Sequence, residues 1–468
     1  MSRHRIKVIF IYISFLFILL SLFVPPSPGM EQTGWRCLAI VFFAMTLWFT
    51  ELLHAAITSL IVIGVFPLFK VLTFEEAASG LGNEIIWLII SMLIMGAAVK
   101  ETHLDQRLAL FMLSIANGKI KLILLNFIIL AFLLTFIIPN AMGRLTVLLP
   151  IALSFIHAFE NKLSGNFSKS MIFIVTFVPY ICTISLITGS GGSIYAVSLF
   201  DSMLGFQWGY VHWLIVMMPI TLTVLFLFWL LLLWLFPVKV IRLKHVDLYI
   251  LEERNQLGPI SASEKKLMGL YLLLLGLWVT KEWHHMSISL SAVLVVIFLF
   301  VPGFDILKWN KVRKEINWGV PLLFAAGFTI AHALDESGVV QWMTVLIKDY
   351  LQNFSGVTLP LIMMLLFVSI RLCFTNFTAM VASLMPVALT FAVGSSFNSV
   401  WLGMVCVVAS STSYLFPSQS AGNMTTFTTG YYTSRDMFVI GSFLTIIIIL
   451  VTLVLAFIYW PMVGVNIY

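Results

Sequence analysis

Long apolar runs follow one another along almost the whole chain, and short polar segments separate them. A helix crosses the roughly 30 Å apolar core of a bilayer with about 20 residues, and by that measure the pattern predicts about ten to twelve spans. The apolar runs are continuous rather than alternating, which favours helices over the strands of a membrane barrel. The pattern therefore predicts an all-α polytopic membrane protein.

Composition and charge agree with this prediction. Of the 468 residues, 61% are hydrophobic and 10% are charged, a balance typical of membrane proteins rather than of soluble domains. The first apolar run, 8–24, follows Arg3, Arg5 and Lys7 and lacks a small-residue cleavage site, so it is predicted to be a span with a cytoplasmic N-terminus. The longest polar segment, 237–266, carries six Lys or Arg residues and is predicted to be a cytoplasmic loop. The net charge of +6 is thereby assigned to topology, and no nucleic-acid partner is expected.

Motifs recur on the two sides of this polar segment. LWFTELLH at 47–54 has a counterpart in LWVTKEWHH at 277–285, and EIIW at 84–87 has a counterpart in EINW at 315–318. Their common order indicates an internal repeat. The predicted domains are an N-terminal span (1–34), a first repeat (35–236), a cytoplasmic connecting loop (237–266) and a second repeat with a C-terminal span (267–468).

Each repeat contains an apolar run that is broken by polar residues. IIPNAMGRLTVLLPIAL at 137–153 aligns with CFTNFTAMVASLMPVAL at 373–389, so that Asn140 matches Asn376. Because backbone groups in lipid must be satisfied internally, we expect each break to be the tip of a re-entrant hairpin that lines a cavity. Inverted repeats with broken helices are typical of secondary transporters, whose sites lie near the membrane midplane.

A second break follows in each repeat, LITGSGGSIYAV at 186–197 and LFPSQSAGNMTTF at 415–427. Glycines and a proline interrupt the helix there, and serine, threonine and asparagine supply polar groups. Side-chain and carbonyl oxygens suit a hard cation, whereas backbone N–H groups at a helix start suit an anion. The residues alone leave both ligands open.

Together with WFTELLHAAITSL at 48–60 and WGVPLLFAAGFTIAHALDESGVVQWM at 318–343, these stretches resemble the divalent anion/sodium symporter family of the ion transporter superfamily. The resemblance runs from about Leu38 to Tyr432. It implies two inverted repeats, a scaffold domain and a transport domain, a homodimer, and an elevator-like movement of a di- or tricarboxylate or an oxyanion across the lipid bilayer.

The hairpin tips depart from that family, whose tips usually read Ser-Asn-Thr. Residues 140–142 read Asn-Ala-Met and residues 376–378 read Asn-Phe-Thr; a one-residue insertion would instead align the asparagines. The departures weaken the expectation of sodium coupling, so Na⁺, H⁺ or exchange all stay open. The predicted substrate ligands are Asn140, Arg144, Ser190, Gly191, Asn376, Thr378, Ser420 and Asn423. The predicted ligands of a coupling cation are Asn140, Gly189, Ser190, Thr375, Asn376 and Ser420.

Arg144 follows Asn140 by one helical turn and places a charge within an apolar run. A charge at the bilayer midplane costs at least ~2.5–3.5 kcal/mol, which favours a functional role. The guanidinium is predicted to bind the anionic substrate or to fill the place of a lost sodium ion. The alternative is that it reaches the interface or an acidic partner such as Glu51. Arg371 is expected to anchor a helix end.

Two other readings of the sequence remain. One is a cation/proton antiporter or arsenite-type permease of the same superfamily, and the other is a membrane sensor or an enzyme that reuses the fold. The sequence contains no nucleophile elbow, HExxH motif or phosphate-binding loop, so we expect no enzyme activity, and we expect no cofactor beyond a coupling ion and no metal centre.

Overall fold

The computed structural model of the chain describes residues 3–50, 52–115, 119–158, 165–238, 252, 255, 257–343, 345, 356–372 and 374–468. Within these ranges the chain forms α-helices and short 3-10 turns and no β-strand. The prediction of an all-α protein is confirmed.

The helices fall into two groups on either side of the polar segment. The first group is α1 (Arg3–Leu20), α2 (Gln32–Thr50), α3 (Ala55–Leu68), α4 (Phe74–Ala78), α5 (Glu84–Thr102), α6 (Leu104–Ile115), α7 (Ile120–Ile137), α8 (Ala141–Ala158), α9 (Gly165–Ile181), α10 (Gly191–Leu204) and α11 (Tyr210–Leu235). The second group is α12 (Ala262–Val279), α13 (Lys281–His284), α14 (Ile288–Phe298), α15 (Trp309–Glu315), α16 (Gly319–Glu336), α17 (Thr358–Arg371), α18 (Phe377–Val393), α19 (Ser399–Ser410), α20 (Ala421–Phe427) and α21 (Ser434–Met462). The 3-10 turns are Ser79–Gly82, Cys182–Ile184, Ile187–Gly189 and Pro417–Gln419.

Five continuous helical stretches within the described ranges are long and apolar enough to cross a bilayer. They are Glu84–Thr102, Ile120–Ile137, Gly165–Ile184, Tyr210–Leu235 and Ser434–Met462. A sixth forms if α15 and α16 are joined across a break with a bend of 58°. Shorter apolar helical stretches of 10–17 residues also occur, namely Val8–Leu20, Ala56–Leu68, Ala141–His157, Ile288–Phe298, Thr358–Arg371, Phe377–Val393 and Ser399–Ser410. Within the described residues, the long and the shorter apolar stretches together are consistent with a polytopic chain, and the number of spans stays a prediction.

The two groups pack against each other in an exchanged pattern, in which helices of each group pack on the counterparts of their own neighbours in the other group. Helix α3 of the first group packs on α16 of the second, and α14 of the second group packs on α5 of the first. Likewise α10 packs on α18, and α20 packs on α8. This reciprocity agrees with the motifs that recur in the sequence, while the predicted domain boundaries and the inverted orientation of the repeats stay predictions.

An ion pair anchors the end of the polar segment to the first group of helices. Glu264 closes a capping box with Ser261 at the start of α12, and its Oε1 accepts from Nε of Arg107 on α6 at 2.7 Å. Arg107 also donates to the carbonyl oxygen of Gly258 at 3.1 Å. Most of the predicted loop, residues 239–251, 253, 254 and 256, lies outside the described residues.

Candidate functional site

A cavity of about 390 Å³ lies where the two predicted hairpin tips meet α5 and the start of α16. Six of the predicted site residues line it: Asn140, Ser190, Gly191, Thr375, Asn376 and Thr378. The residues are far apart in the sequence, and the exchanged packing of the two helix groups brings them together. Both breaks of the first repeat and the hairpin break of the second repeat therefore contribute predicted residues to one cavity.

The two tip asparagines use their side-chain oxygens to hold the first turns of helices. Asn140 Oδ1 accepts from the N–H of Met142 at the start of α8, and Asn376 Oδ1 accepts from the N–H of Thr378 at the start of α18, both at 2.9 Å. A capping asparagine satisfies a backbone donor that has no partner within the helix. With the oxygen engaged in this way, the Nδ2 amide of each asparagine remains as a donor toward the cavity.

Several helices begin at the cavity. Besides α8 and α18, α10 begins there at Gly191, and its cap Ser190 accepts from the N–H of Ser193 at 3.1 Å. The short helix α20 begins at Ala421, which also lines the cavity. Helix N-termini carry partial positive charge and unpaired N–H groups, so their convergence favours a negatively charged ligand.

Ser420 and Asn423 lie behind the cavity wall rather than on it. Ser420 Oγ caps α20 by accepting from the N–H of Asn423 at 3.0 Å. The buried Asn423 donates from Nδ2 to the carbonyl oxygen of Ser413 at 2.7 Å. In the first repeat, Ser193 donates to the carbonyl oxygen of Thr183 at 2.8 Å. This contact is the repeat counterpart of the one between Asn423 and Ser413, because donor and acceptor are ten residues apart in each pair and both positions differ by 230 residues between the repeats. In this structure, therefore, Asn423 braces an unwound segment, and direct contact of either residue with a substrate is not supported.

Arg144 is fully buried and is also absent from the cavity wall. Its Nη1 donates to the carbonyl oxygens of Ile138 at 2.8 Å and Gly189 at 2.9 Å, and its Nη2 donates to the carbonyl oxygen of Pro179 at 2.5 Å. The guanidinium thus ties the hairpin tip to α9 and to the unwound segment. Because it is engaged this way, direct binding of substrate is not supported, and neither is a position at the membrane interface. Glu51, the alternative partner, lies outside the described residues.

Arg371 occupies a comparable place in the second repeat. It is fully buried at the end of α17, and its Nη1 donates to the carbonyl oxygen of Phe374 just beyond that helix. No described residue that lines the cavity is acidic. Three ion pairs lie away from the cavity, at Arg107–Glu264, Lys169–Asp436 and Lys311–Glu101. The guanidinium of Arg144 and the helix N-termini therefore give the cavity surroundings partial positive charge.

The predicted cation ligands are largely engaged by donors of the protein. The side-chain oxygens of Asn140 and Asn376 accept from backbone N–H groups, and the carbonyl oxygen of Gly189 accepts from Arg144. In the described part of the chain, no three His, Cys, Asp or Glu side chains cluster as they would around a metal ion. The oxygen atoms at the tips are thus already in contact with positive or partially positive groups.

Sequence reasoning missed three polar residues of the cavity, namely Tyr180, Thr183 and Asn317. Tyr180 Oη accepts from the N–H of Gly422 at 3.1 Å and so joins α9 to α20. Asn317 lies at the bend between α15 and α16. A signal for Asn317 was present in the repeated motif, because EINW has an asparagine where EIIW has Ile86.

Comparison with solved structures shows the fold. The chain is similar to MtrF of Neisseria gonorrhoeae, a protein described as illuminating "a Class of Antimetabolite Efflux Pumps", with a TM-score of 0.61. The match covers 100% of this chain and 96% of that one at 12% identity. At this level of identity the likeness extends to the helical architecture alone.

Comparison of sequences shows the family. The chain is 25% identical to a "Sodium-dependent dicarboxylate transporter SdcS" of Staphylococcus saprophyticus and 26% identical to that of Staphylococcus aureus, in each case over 97% of this chain and 91% of the relative. A protein of Cupriavidus necator described as "Membrane protein" is 25% identical over 96% of this chain and 91% of that relative. The family model described as "Sodium:sulfate symporter transmembrane region" matches residues 5–466. The chain therefore belongs to the sodium:sulfate symporter family, a family of multi-pass membrane transporters.

Proposed function

We propose that this protein is a secondary active transporter of a small anion, either a di- or tricarboxylate or an oxyanion. The observation that carries the proposal is the convergence of helix N-termini and of the Asn140 and Asn376 amides on a cavity without a described acidic residue. Such a cavity attracts anions and repels cations, which argues against the cation antiporter alternative. The dicarboxylate named in the descriptions of the relatives fits this chemistry.

The proposed movement is an elevator-like displacement of the tip-bearing helices against the rest of the protein. The tips, α8, α10 and α18 form one side of the cavity, and α5 with the start of α16 forms the other. A substrate held between these two sides can travel with one of them if the contacts of α10 and α18 with α16 slide during transport. The proposed assembly is a homodimer in the cell membrane with a cytoplasmic N-terminus.

Coupling is proposed to rely on fixed protein charge rather than on bound sodium. Arg144 supplies a permanent cation to the carbonyl oxygens of the first tip and of Gly189, and such oxygens are also suitable ligands for a hard cation. A guanidinium held by three carbonyl oxygens stays with the protein throughout the cycle. Transport is then driven by the gradient of a counter-anion or of protons.

The experiment is uptake of radiolabelled succinate, citrate, 2-oxoglutarate, sulfate and phosphate into proteoliposomes that contain the full chain. Sodium, proton and counter-anion gradients are imposed one at a time, with choline replacing sodium in the matched control. Uptake of at least one anion that persists in choline is expected. Uptake that is abolished without sodium would contradict fixed-charge coupling, and no uptake of any anion under any gradient would contradict the proposed function.

A further inference from the structure

The wall that α5 and the start of α16 contribute to the cavity is apolar except at one place. Ile89, Met92, Leu93 and Val320 line it, and Asn317 is the polar side chain among the described residues of this wall. We propose that Asn317 is a specificity-determining residue that donates its side-chain amide to a second anionic group of the substrate. The inference rests on the proposed function and extends it, because it assigns a role to a wall that the hairpin tips do not form.

The orientation of the Asn317 carboxamide follows from its hydrogen bond. Its Oδ1 accepts from the N–H of Gly319, the first residue of α16, at 3.1 Å. The carboxamide oxygen Oδ1 is thereby engaged at the helix start. The carboxamide nitrogen Nδ2 donates to no described residue. Asn317 is exposed to the cavity, so two N–H donors remain for a ligand.

Asn317 repeats the arrangement of the two tip asparagines. In all three residues, Oδ1 accepts from the backbone N–H two residues later at 2.9–3.1 Å, and all three residues line the same cavity. The cavity therefore holds amide donors on the tips and one on the α5–α16 wall. A ligand that contacts both walls needs an acceptor at each end, as a dicarboxylate has and a monocarboxylate lacks.

The bend between α15 and α16 explains how a polar side chain comes to lie on this wall. The two helices meet at 58°, and the residues between them, 316–318, belong to neither helix. The indole N–H of Trp318 donates to the carbonyl oxygen of Arg313 at 3.1 Å and so helps to hold the bend. The repeat partner of this segment carries Ile86, which is buried in α5. The asparagine therefore gives this wall a donor that the other repeat does not supply.

Asn317→Asp is the discriminating variant. The aspartate carboxylate keeps an oxygen that can accept from the N–H of Gly319, while the amide donor is replaced by a negative charge. The matched control is Asn398→Asp, because Asn398 caps α19 through Oδ1 at 3.0 Å from the N–H of Val400 and does not line the cavity. Asn317→Ser, which keeps a side-chain oxygen acceptor without adding charge, serves if the aspartate variant fails to fold.

The measurement is the KM for succinate uptake in proteoliposomes, with butyrate as a competing monocarboxylate, together with the melting temperature of each variant. Asn317→Asp is expected to raise the KM about tenfold or more, as a lost hydrogen bond to a charged group implies, without a fall in melting temperature. Asn398→Asp is expected to keep the KM of the wild type. Asn317→Ser is expected to reduce the preference for succinate over butyrate.

The outcomes separate the two proposals. If the wild-type protein takes up succinate and both Asn317 variants keep its KM and its preference over butyrate, the role of Asn317 is refuted and the proposed function stands. If the wild-type protein transports sulfate but neither succinate nor another dicarboxylate, the two-ended contact is refuted while anion transport stands. If it transports no anion, both proposals fall.

Discussion

Arg144 and Arg371 donate to carbonyl oxygens at equivalent positions of the two hairpin tips. Arg144 contacts the carbonyl oxygen of Ile138, Arg371 contacts that of Phe374, and each acceptor lies two residues before the asparagine of its tip. The two arginines lie on opposite sides of their tips in the sequence, because Arg144 follows Asn140 and Arg371 precedes Asn376. Two different sequence positions thus bring a guanidinium to the same place in each repeat.

Removal of the Arg144 guanidinium should strongly reduce transport. Arg144→Ala leaves the carbonyl oxygens of Ile138, Gly189 and Pro179 without this donor, and each buried unsatisfied group costs about 1–3 kcal/mol. We expect at least a tenfold loss of anion uptake, which corresponds to a free-energy change of about 1.4 kcal/mol in the limiting transport step. Added guanidinium, which fits the space vacated by the side chain, should restore part of the uptake.

The control for this prediction is Arg435→Ala, because Arg435 is an exposed arginine at the start of α21. Its uptake should match that of the wild type with and without guanidinium. Full uptake by Arg144→Gln with unchanged ion dependence would show that the buried charge is not needed for coupling.

The unwound segments should depend on Asn423 for stability rather than for affinity. Asn423→Ala removes the donor to the carbonyl oxygens of Ser413 and Phe416, so we expect a loss of about 1–3 kcal/mol in the free energy of unfolding. The KM for the anion should stay within about twofold of the wild-type value, which corresponds to about 0.4 kcal/mol. Thermal unfolding in detergent and uptake kinetics measure the two effects.

Thr425→Ala is the matched control on the same helix, because the Thr425 hydroxyl donates within α20 to the carbonyl oxygen of Ala421 and is not buried. It should leave the unfolding temperature nearly unchanged. A large increase in KM for Asn423→Ala with an unchanged unfolding temperature would instead indicate that Asn423 contacts the substrate.

The sequence predicted the helical fold and the hairpin break of each repeat because apolar runs and their interruptions are local signals. Asn140, Ser190 and Asn376 line a cavity, as expected of polar residues at a break in lipid, and their role as ligands stays a prediction. Arg144 and Asn423 carried the same signal, but the structure uses them to satisfy carbonyl oxygens. Composition does not distinguish a side chain that supports the broken backbone from one that faces a ligand, because both are buried polar residues at the same break.

Stability should fall at acidic pH through Glu264. Burial raises the pKa of its carboxyl, but the hydrogen bonds from Arg107 and from the N–H of Ser261 outweigh that effect and hold the pKa below its usual value. A carboxyl with a lowered pKa in the folded state contributes stability above its unfolded pKa of about 4.3, and this contribution disappears as the pH falls through the folded value.

The measurement is the melting temperature of the wild type and of Glu264→Gln from neutral pH to acidic pH. The wild type should melt higher at neutral pH, and the difference should shrink as the pH falls below about 4.3. Glu84→Gln is the control, because Glu84 is an exposed carboxylate in the first turn of α5. A difference that stays constant over the whole pH range would show that the ion pair with Arg107 does not depend on the charge of Glu264.

The contact between α10 and α16 should not tolerate a methyl group at Gly327. A Cβ there would lie 2.5 Å from Tyr195 Oη, and the fully buried Tyr195 ring stacks on Phe324 with the centroids 5.1 Å apart. Overpacking of a well-packed site costs about 1–3 kcal/mol, so Gly327→Ala should lower the melting temperature, the transport rate or both.

Two controls test this explanation. The double variant Gly327→Ala, Tyr195→Ala lacks the Tyr195 ring and should relieve the clash. Gly64→Ala in α3, where the added Cβ meets nothing within 4 Å, should be neutral or slightly stabilising. Wild-type melting and transport in Gly327→Ala would show that α10 and α16 do not pack this closely in the membrane.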